Sequence, residues 1–421
     1  MLAPCGGPQE YSRHPHRDIA GLRVIVLRRI AYISGSRADY GIARRLLLAI
    51  QADPDFELSV LATAMHLDPI HGETWREIES DGLTIADKVG GRVDGDSLAA
   101  MSSSVGNYLS GLSEALSKLQ PEIVLVLGDR GEELAGAMAA AYQNILVAHL
   151  CGGSESGSID DSIRHAITKF SHLHFPSSEE HAHRILQMGE DPDSVHVVGL
   201  PGANLKEDIN LTREEVCQRL DLAEDRPYLL VIQHSVTHSQ SDAAFQITET
   251  LEAVLASGYP VLLANPNDDA GGRAILARMQ EYAGRHDDLR ILPPPGNREL
   301  FASIMGHAAV LVGNSSSAVA EAMSVPVPVV NIGDRQRGRE HLACWINVEH
   351  DRNAIQRGIQ KATQDGKYQE RLLSFQSTIV RRNTNDMVLD FLRSAQLEKA
   401  AAPKRFHIAG NTGQTLRRGP C

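Results

Sequence analysis

Residues 145–169 read ILVAHLCGGSESGSIDDSIRHAITK. The run opens on a short apolar segment, 145–150, of the length and composition of a buried strand. A Gly-Gly turn and a polar loop follow, and residues 161–170 then carry apolar positions at helical spacing. An apolar run, a glycine-rich loop and a helix form the unit that places chemistry at the carboxyl end of a parallel strand. The polar part holds Asp160, Asp161, Arg164, His165 and Lys169, both acids and bases in one loop and helix start. A plain solvated surface loop is the competing reading.

The same unit repeats along the chain. Strands are predicted at 29–34, 58–62, 123–127, 146–150, 173–175, 195–198, 228–232, 261–264, 289–292, 309–312 and 327–331. Helical patterns fall between them, among them 42–52, 97–119, 132–143, 161–170, 243–257, 298–305 and 318–323. Apolar strands alternating with helices predict buried parallel sheets in an α/β protein. The pattern restarts after the charged stretch 206–226. Two Rossmann-like doubly wound domains facing a cleft are therefore expected, at 22–205 and 206–375, with a last helix, 376–398, returning to the first. Residues 1–21 and 399–421 read as a disordered leader and tail.

A chain of 421 residues exceeds one ordinary core, which agrees with two domains. The net charge of −12 argues against a general nucleic-acid binder, although a local arginine cluster can still hold an anionic small ligand. Five scattered cysteines without a CxxC pair fit a reducing cytoplasm and argue against a structural metal site. No stretch of 18 apolar residues is present, and the first 21 residues lack the apolar core of a signal peptide, so no membrane association is expected.

Several loops after predicted strands carry candidate site residues. In GSRADYG, 35–41, Arg37 and Asp39 open a helix; the loop reads either as a phosphate or sugar contact or as an ordinary capped turn. His66 follows the second strand, as a ligand or a packed residue. Asp129 and Arg130 follow the apolar run 123–127; the Asp either caps the next helix or serves as a base kept ionised by its neighbour. His234 follows the first strand of the second half, and Asn267 follows the next. Ser315 and Ser316 precede a helix, where hydroxyls and free N–H groups make a diphosphate cradle, with Glu321 in reach of ribose hydroxyls. Arg335, Arg337 and Arg339 follow the last strand, as a phosphate clamp or a solvated basic turn. No HExxH-type spacing occurs and no DxD pair follows a strand, so no metal or other cofactor is expected; leaving-group charge would fall on arginine and helix dipole.

Together, SGSRADYG (34–41), LGDRGEELA (127–135), GGSESGSIDDSIRHAITK (152–169), GNSSSAVAEA (313–322) and NIGDRQRGR (331–339) resemble the hydrolysing UDP-N-acetylglucosamine 2-epimerases. The resemblance spans about residues 29–396. It implies two Rossmann-like domains in the glycosyltransferase-B arrangement, a UDP-sugar as substrate, a homo-oligomer (dimer or tetramer), and a role in sialic-type acid biosynthesis. The implied reaction converts UDP-GlcNAc and water to ManNAc and UDP through a 2-acetamidoglycal. A sister group acting on UDP-2,4-diacetamido-2,4,6-trideoxy-glucose, and the more distant non-hydrolysing epimerases, supply the alternatives.

Carried over by position, the resemblance makes Asp129 and Asp160 catalytic carboxylates and Arg164 the arginine beside them. It places His234, Ser315 and Ser316 at the diphosphate, Glu321 at the ribose, and Arg37 and Arg335 on UDP. The chain departs from the pattern around Gly-Gly: Cys151 stands where the sialic-acid enzymes often carry a catalytic Glu, and Ser154 where a second Glu is usual, with Glu155 one place later. Cys151 and Glu155 therefore join the catalytic candidates: either Glu155 swings in, or Asp129 and Asp160 carry the acid–base work, or the substrate differs. A milder departure is Ser235, where Pro usually follows the His.

Overall fold

The protein is seen here as a computed structural model that describes residues 27–202, 205–293, 298–316, 321, 324–339, 345–378 and 383–408. The expected leader, the end of the expected tail and most of the helix expected at 318–323 lie outside the described residues.

Among the described residues, twelve strands form two parallel sheets. The first contains β1 (Arg28–Ser34), β2 (Phe56–Thr63), β3 (Ile85–Val89), β4 (Ile123–Leu127), β5 (Leu146–Leu150) and β6 (Leu173–Phe175), in the spatial order β3-β2-β1-β4-β5-β6. The second contains β7 (Leu229–Ile232), β8 (Val261–Leu263), β9 (Leu289–Ile291), β10 (Val310–Gly313), β11 (Val329–Ile332) and β12 (Ile346–Val348), in the order β12-β11-β10-β7-β8-β9. Each sheet starts at its centre and grows first one way, then the other. The order therefore reverses between β1 and β4, and again between β7 and β10. Helices leaving such a pair go to opposite faces and open a crevice at the strand ends.

The central strands read as unbroken apolar runs because both faces are covered. Every residue of β4 and β5 is buried, and the two pair from Ile123↔Leu146 to Leu127↔Leu150. The two strands that the sequence hides, β3 and β12, are sheet edges. In β3 the middle residues Ala86, Asp87 and Lys88 are exposed, and β12 is only Ile346, Asn347 and Val348, so neither carries an apolar signature. The strand expected at 195–198 is not formed; a single bridge, Val195 to His174, replaces it, and β6 becomes the edge.

The chain's end is shared between the two cores. Tyr368 and Leu372 of helix Gly366–Thr378 pack into the second core. Val388, Leu389 and Leu392 of helix Thr384–Ser394 pack into the first, beside Ile30 and Tyr32. Residues 399–408, expected in the disordered tail, are instead docked on the first sheet's helices. Lys404 Nζ donates to the carbonyls of Thr168, Lys169 and Ser171 and pairs with buried Glu190 at 2.5 Å. A lysine ammonium that meets three carbonyls and a carboxylate ties down backbone that composition alone leaves free.

Leu392 is fully buried in the first core although it comes from the far end of the sequence. Leu392→Ala should cost about 2–5 kcal/mol, read as a lower urea midpoint; an unchanged midpoint would remove this helix from the first core.

Candidate active site

Both reversal points open onto one cleft. Its described wall includes Ser36 and Arg37 after β1, Thr74, Asp129 and Arg130 after β4, Asp160, His234 after β7, Asn265 and Asn267 after β8, Phe301, Ser315 and Ser316 after β10, and Arg335, Gln336 and Arg339 after β11.

On the first domain the organising group is Arg164, whose side chain has no exposure. It sits one turn into helix Asp160–Phe170, so its guanidinium reaches back under the loop that precedes the helix. Nη1 donates to the Ser154 carbonyl at 2.8 Å and to Asp161 Oδ1 at 2.6 Å, while Nη2 donates to Asp129. Asp161 also accepts from the Ser156 N–H at 2.7 Å and the Ser156 hydroxyl at 2.9 Å, which folds the glycine-rich loop over the arginine. Gly153 in that loop has φ +80°, and a Cβ there would strike the His181 carbonyl, so glycine is required. Cys151 also lies in the left-handed region, at φ +63°, a conformation that costs a side-chain-bearing residue about 1–2 kcal/mol.

The second domain supplies cations and a helix start. Arg335 reaches Asp160 at 3.3 Å and donates to the Asn314 carbonyl at 3.2 Å. Arg339 donates to the Ser154 hydroxyl at 3.1 Å and lies 3.8 Å from Asp129. Arg130 of the first domain crosses the other way, 3.4 Å from Asp269. His234 Nδ1 accepts the Asn267 N–H at 3.0 Å, so the proton is on Nε2, which donates to Ser315 Oγ at 3.2 Å. Burial, reinforced by Arg335 and Arg130, holds this imidazole neutral. Ser315 and Ser316 stand where a helix begins after β10. Buried polar atoms in this wall that meet no protein partner include Nε of Arg335 and Arg339 and the amide oxygens of Asn265, Asn267 and Gln336. The two guanidinium nitrogens offer donors to an anion and the three amide oxygens offer acceptors to hydroxyl or N–H groups, so the wall suits a ligand that carries both.

The two cleft carboxyls are driven apart. Burial pushes Asp129 up, but Arg164, Arg339 and Arg335 together outweigh it and hold the carboxyl at about 2. Burial also raises Asp160; Arg335 opposes this, while Asp129 and Asp269 add to it, and the carboxyl stays above its usual value. Two carboxyls pushed in opposite directions are what acid–base chemistry requires.

Of the residues singled out from sequence, Arg37, Asp129, Arg130, Asp160, His234, Asn267, Ser315, Ser316 and Arg335 line the cleft together. Arg37 lies over the Phe301 ring at 3.9 Å. Others do not line it. Glu155 points away, its side chain half exposed and paired with Arg184 at 3.0 Å. Glu321 is buried in an ion pair with Arg298, which also meets Asp208. Cys151 lies behind Asp129 and Arg339; burial pushes its thiol up to about 12, so it stays protonated. Asp39 and His66 are buried behind the wall, Asp39 accepting the Gly35 and Ser36 N–H groups at 3.0 and 2.7 Å as the partner of the Ser36 cap. Thr74, His71, Asn265, Phe301 and Gln336 were missed. Gln336 lies inside the quoted motif NIGDRQRGR but was not singled out there; the other four follow no recognisable motif, and only the fold brings them to the cleft.

Asp68, His71 and Asp268 lie close enough to share a cation. Arg92 already serves them: it pairs with Asp268 and lies 3.2 Å from Asp68. This group joins the two domains beside the cleft.

Comparison with known proteins agrees with this fold. The family model described as UDP-N-acetylglucosamine 2-epimerase matches residues 48–393. A Legionella pneumophila protein named UDP-N,N'-diacetylbacillosamine 2-epimerase (hydrolyzing) is 36% identical over 366 residues, covering 84% of this chain and 97% of that protein. A Neisseria meningitidis UDP-N-acetylglucosamine 2-epimerase is 32% identical over 384 residues, covering 90% and 99%. A solved Neisseria meningitidis UDP-GlcNAc 2-epimerase bound to UDP-GlcNAc superposes with a TM-score of 0.72 at 18% identity, over 87% of this chain and all of that one, and shares the fold.

Because its pKa is depressed, Asp129 adds stability above the ordinary carboxylate range and loses it as pH falls toward about 2. Arg164→Met removes the arginine that contributes most to that depression, so acid unfolding should begin at higher pH than in the wild type. Coincident acid-unfolding curves would show that Arg164 does not hold Asp129 ionised.

Proposed function

This chain belongs to the UDP-N-acetylglucosamine 2-epimerase family, and we propose that it is a hydrolysing member that converts UDP-GlcNAc and water to ManNAc and UDP. What carries this reading is the pair Asp129 and Asp160, shifted in opposite directions and facing the serines and arginines of the second domain. The 36% identity to a relative named as hydrolysing supports it.

In the proposed reaction the sugar C1–O bond breaks and the electron pair leaves with the UDP diphosphate. Ser315, Ser316, the Nε2–H of His234 and Arg335 would take up that charge as it develops, which is where fixed donors accelerate most. The C2 proton passes to a carboxylate, closing the C1=C2 bond of a 2-acetamidoglycal. A carboxyl then delivers a proton to C2 on the opposite face while water adds to C1 and gives its own proton back to that carboxylate, leaving the free 2-epimer. Asp129, held ionised, suits the base, and Asp160, the readier proton carrier, suits the acid. Cys151 is neutral and Glu155 faces Arg184, so neither is assigned a step. We place the enzyme in the cytoplasm, as a homo-oligomer acting in sialic-type acid biosynthesis; among the described residues no helix is long and apolar enough to cross a membrane.

The test is a substrate panel, UDP-GlcNAc and UDP-2,4-diacetamido-2,4,6-trideoxy-glucose, followed by NMR. The expected products from UDP-GlcNAc are UDP and free ManNAc in equal amounts. Persistent UDP-ManNAc would identify a non-hydrolysing enzyme, turnover of the diacetamido sugar alone would move the substrate to the sister group, and no UDP from either sugar would refute the reading. Asp129→Asn should cut turnover by about 10²–10⁴-fold while UDP affinity by calorimetry stays within a few-fold; full activity would remove Asp129 from the chemistry.

A further inference from the structure

Behind the wall formed by Thr74 lies a continuous chain of buried hydrogen-bonding groups that the proposed reaction does not use. Thr74 Oγ1 is 2.8 Å from His66 Nδ1, His66 Nε2 is 2.9 Å from Ser34 Oγ, and Ser34 Oγ donates to Asp39 Oδ1. Of the four, only Thr74 lines the cleft. Ser34 and His66 have no exposure, and Asp39 and Thr74 little.

Among these four side chains two arrangements complete every bond; the Ser36 and Thr74 carbonyls also lie near the ring and favour a proton on the nitrogen that faces them. With Asp39 ionised, Ser34 must donate to it, so the Ser34 oxygen accepts from His66 Nε2–H. Burial holds His66 neutral, its value lowered to about 3, so Nδ1 carries a lone pair and accepts from the Thr74 hydroxyl. Thr74 then presents only lone pairs to the cleft. With Asp39 protonated, every bond reverses: Asp39 donates to Ser34, Ser34 to Nε2, Nδ1–H to Thr74, and the Thr74 proton points into the cleft. The two arrangements differ by one proton. A proton that binds Thr74 Oγ1 from the cleft displaces the Thr74 hydroxyl proton to Nδ1, the Nε2 proton to Ser34 and the Ser34 proton to Asp39, and no group in the chain need become charged at the end.

We propose that this chain is a proton relay that reports the ionisation of Asp39 to the cleft, switching Thr74 between acceptor and donor toward a hydroxyl or amide of the bound UDP-sugar. The clause that puts a UDP-sugar against Thr74 rests on the function proposed above; the relay itself does not. His66 and Asp39 are thereby positioning residues that act through Thr74.

The surroundings of Asp39 suit a switch. Burial raises it to about 7; the bonds from Ser34, Ser36 and Gly35 oppose this and Glu132 adds to it. Facing it are Glu132 and Glu133 from helix Gly131–Tyr142, Tyr32 from β1 and His66 from the turn after β2. Glu133 is buried with both carboxylate oxygens unpartnered, and burial with Glu132 and Asp39 beside it pushes its pKa well up. Arg130 pairs with Glu132 at 3.0 Å, and Arg37 faces His66, disfavouring an imidazolium there.

The decisive measurement is NMR of the ring nitrogens with ¹⁵N-labelled histidine, His66 being assigned by its loss in His66→Gln. As pH rises from 5.5 to 8.5, the wild-type ring should stay neutral while its proton moves from Nδ1 to Nε2. Ser34→Ala should abolish that movement. Imidazolium formation, a single tautomer throughout, or a shift that survives Ser34→Ala overturns the relay. In a second arm, kcat/KM is followed against pH for UDP release. Thr74→Val should lose the inflection that tracks the tautomer change and Thr74→Ser should keep it; an inflection unchanged in Thr74→Val means that the relay does not reach the substrate. The first arm needs no turnover, so an enzyme inactive on UDP-sugars would sink the functional reading while the tautomer still decides the relay.

Discussion

A guanidinium with no access to water has to be neutralised and hydrogen-bonded where it lies. Arg164 meets that demand with Asp129, Asp161 and the Ser154 carbonyl, and in doing so joins the end of β4, the loop after β5 and the start of the helix that follows. The arrangement is one-sided. Asp129 is drawn toward cations on three sides, while Asp160, one residue before Asp161, has only Arg335 and, more weakly, Arg130 to oppose its burial and the like charges near it. The same buried cation therefore shapes the loop and separates the two carboxyls chemically.

The histidines of the site follow the opposite rule. His66 and His149 are buried and His234 partly so, and desolvation is the first cause that keeps each of them neutral. Neighbouring groups then fix which nitrogen carries the proton. Nε2 of His149 donates to the Gly128 carbonyl at 2.8 Å, which holds the turn carrying Asp129, and Nε2 of His234 donates to Ser315. Charge in this cleft is thus carried by carboxyls and arginines, and the imidazoles orient them. A lone histidine after a strand does not reveal which of these it is, because the answer lies in the second nitrogen's partner.

Legibility in the sequence divides along the same line. The central strands were readable because burial on both faces leaves an apolar run, and the cleft residues of β4, β7, β10 and β11 were readable because strand ends at a topological reversal point into one crevice. Asp129, Arg130, His234 and Ser315 come from strands at the reversals, and Arg335 from β11 beside them. What sequence does not carry is side-chain direction. Glu155 and Glu321 have suitable chemistry and suitable positions, yet Arg184 and Arg298 hold them elsewhere. Asp39 was read as a ligand but caps its own helix, the competing reading of that loop. Thr74 could not be found at all, since a threonine in an irregular segment becomes informative only when its hydroxyl is seen against His66 and the cleft.

Ion pairs across the cleft also limit how a diphosphate can enter. Arg335 touches Asp160 and lies 3.9 Å from Asp269, and Arg130 lies 3.4 Å from Asp269, so the cations facing the Ser315 helix start are already engaged across the domain boundary. Further out, Arg92 joins Asp68 to Asp268, and the Gly271 N–H donates to Asp96 at 2.6 Å. A diphosphate that draws Arg335 toward Ser315 and Ser316 must weaken the arginine's hold on Asp160. That carboxyl, already raised by burial, would then lose the larger of the two cations that oppose its protonation, Arg130 being the other. In the proposed reaction, binding at the phosphate end would thereby prepare the proton carrier at the sugar end, and departure of UDP would return Arg335 to Asp160 and reset it.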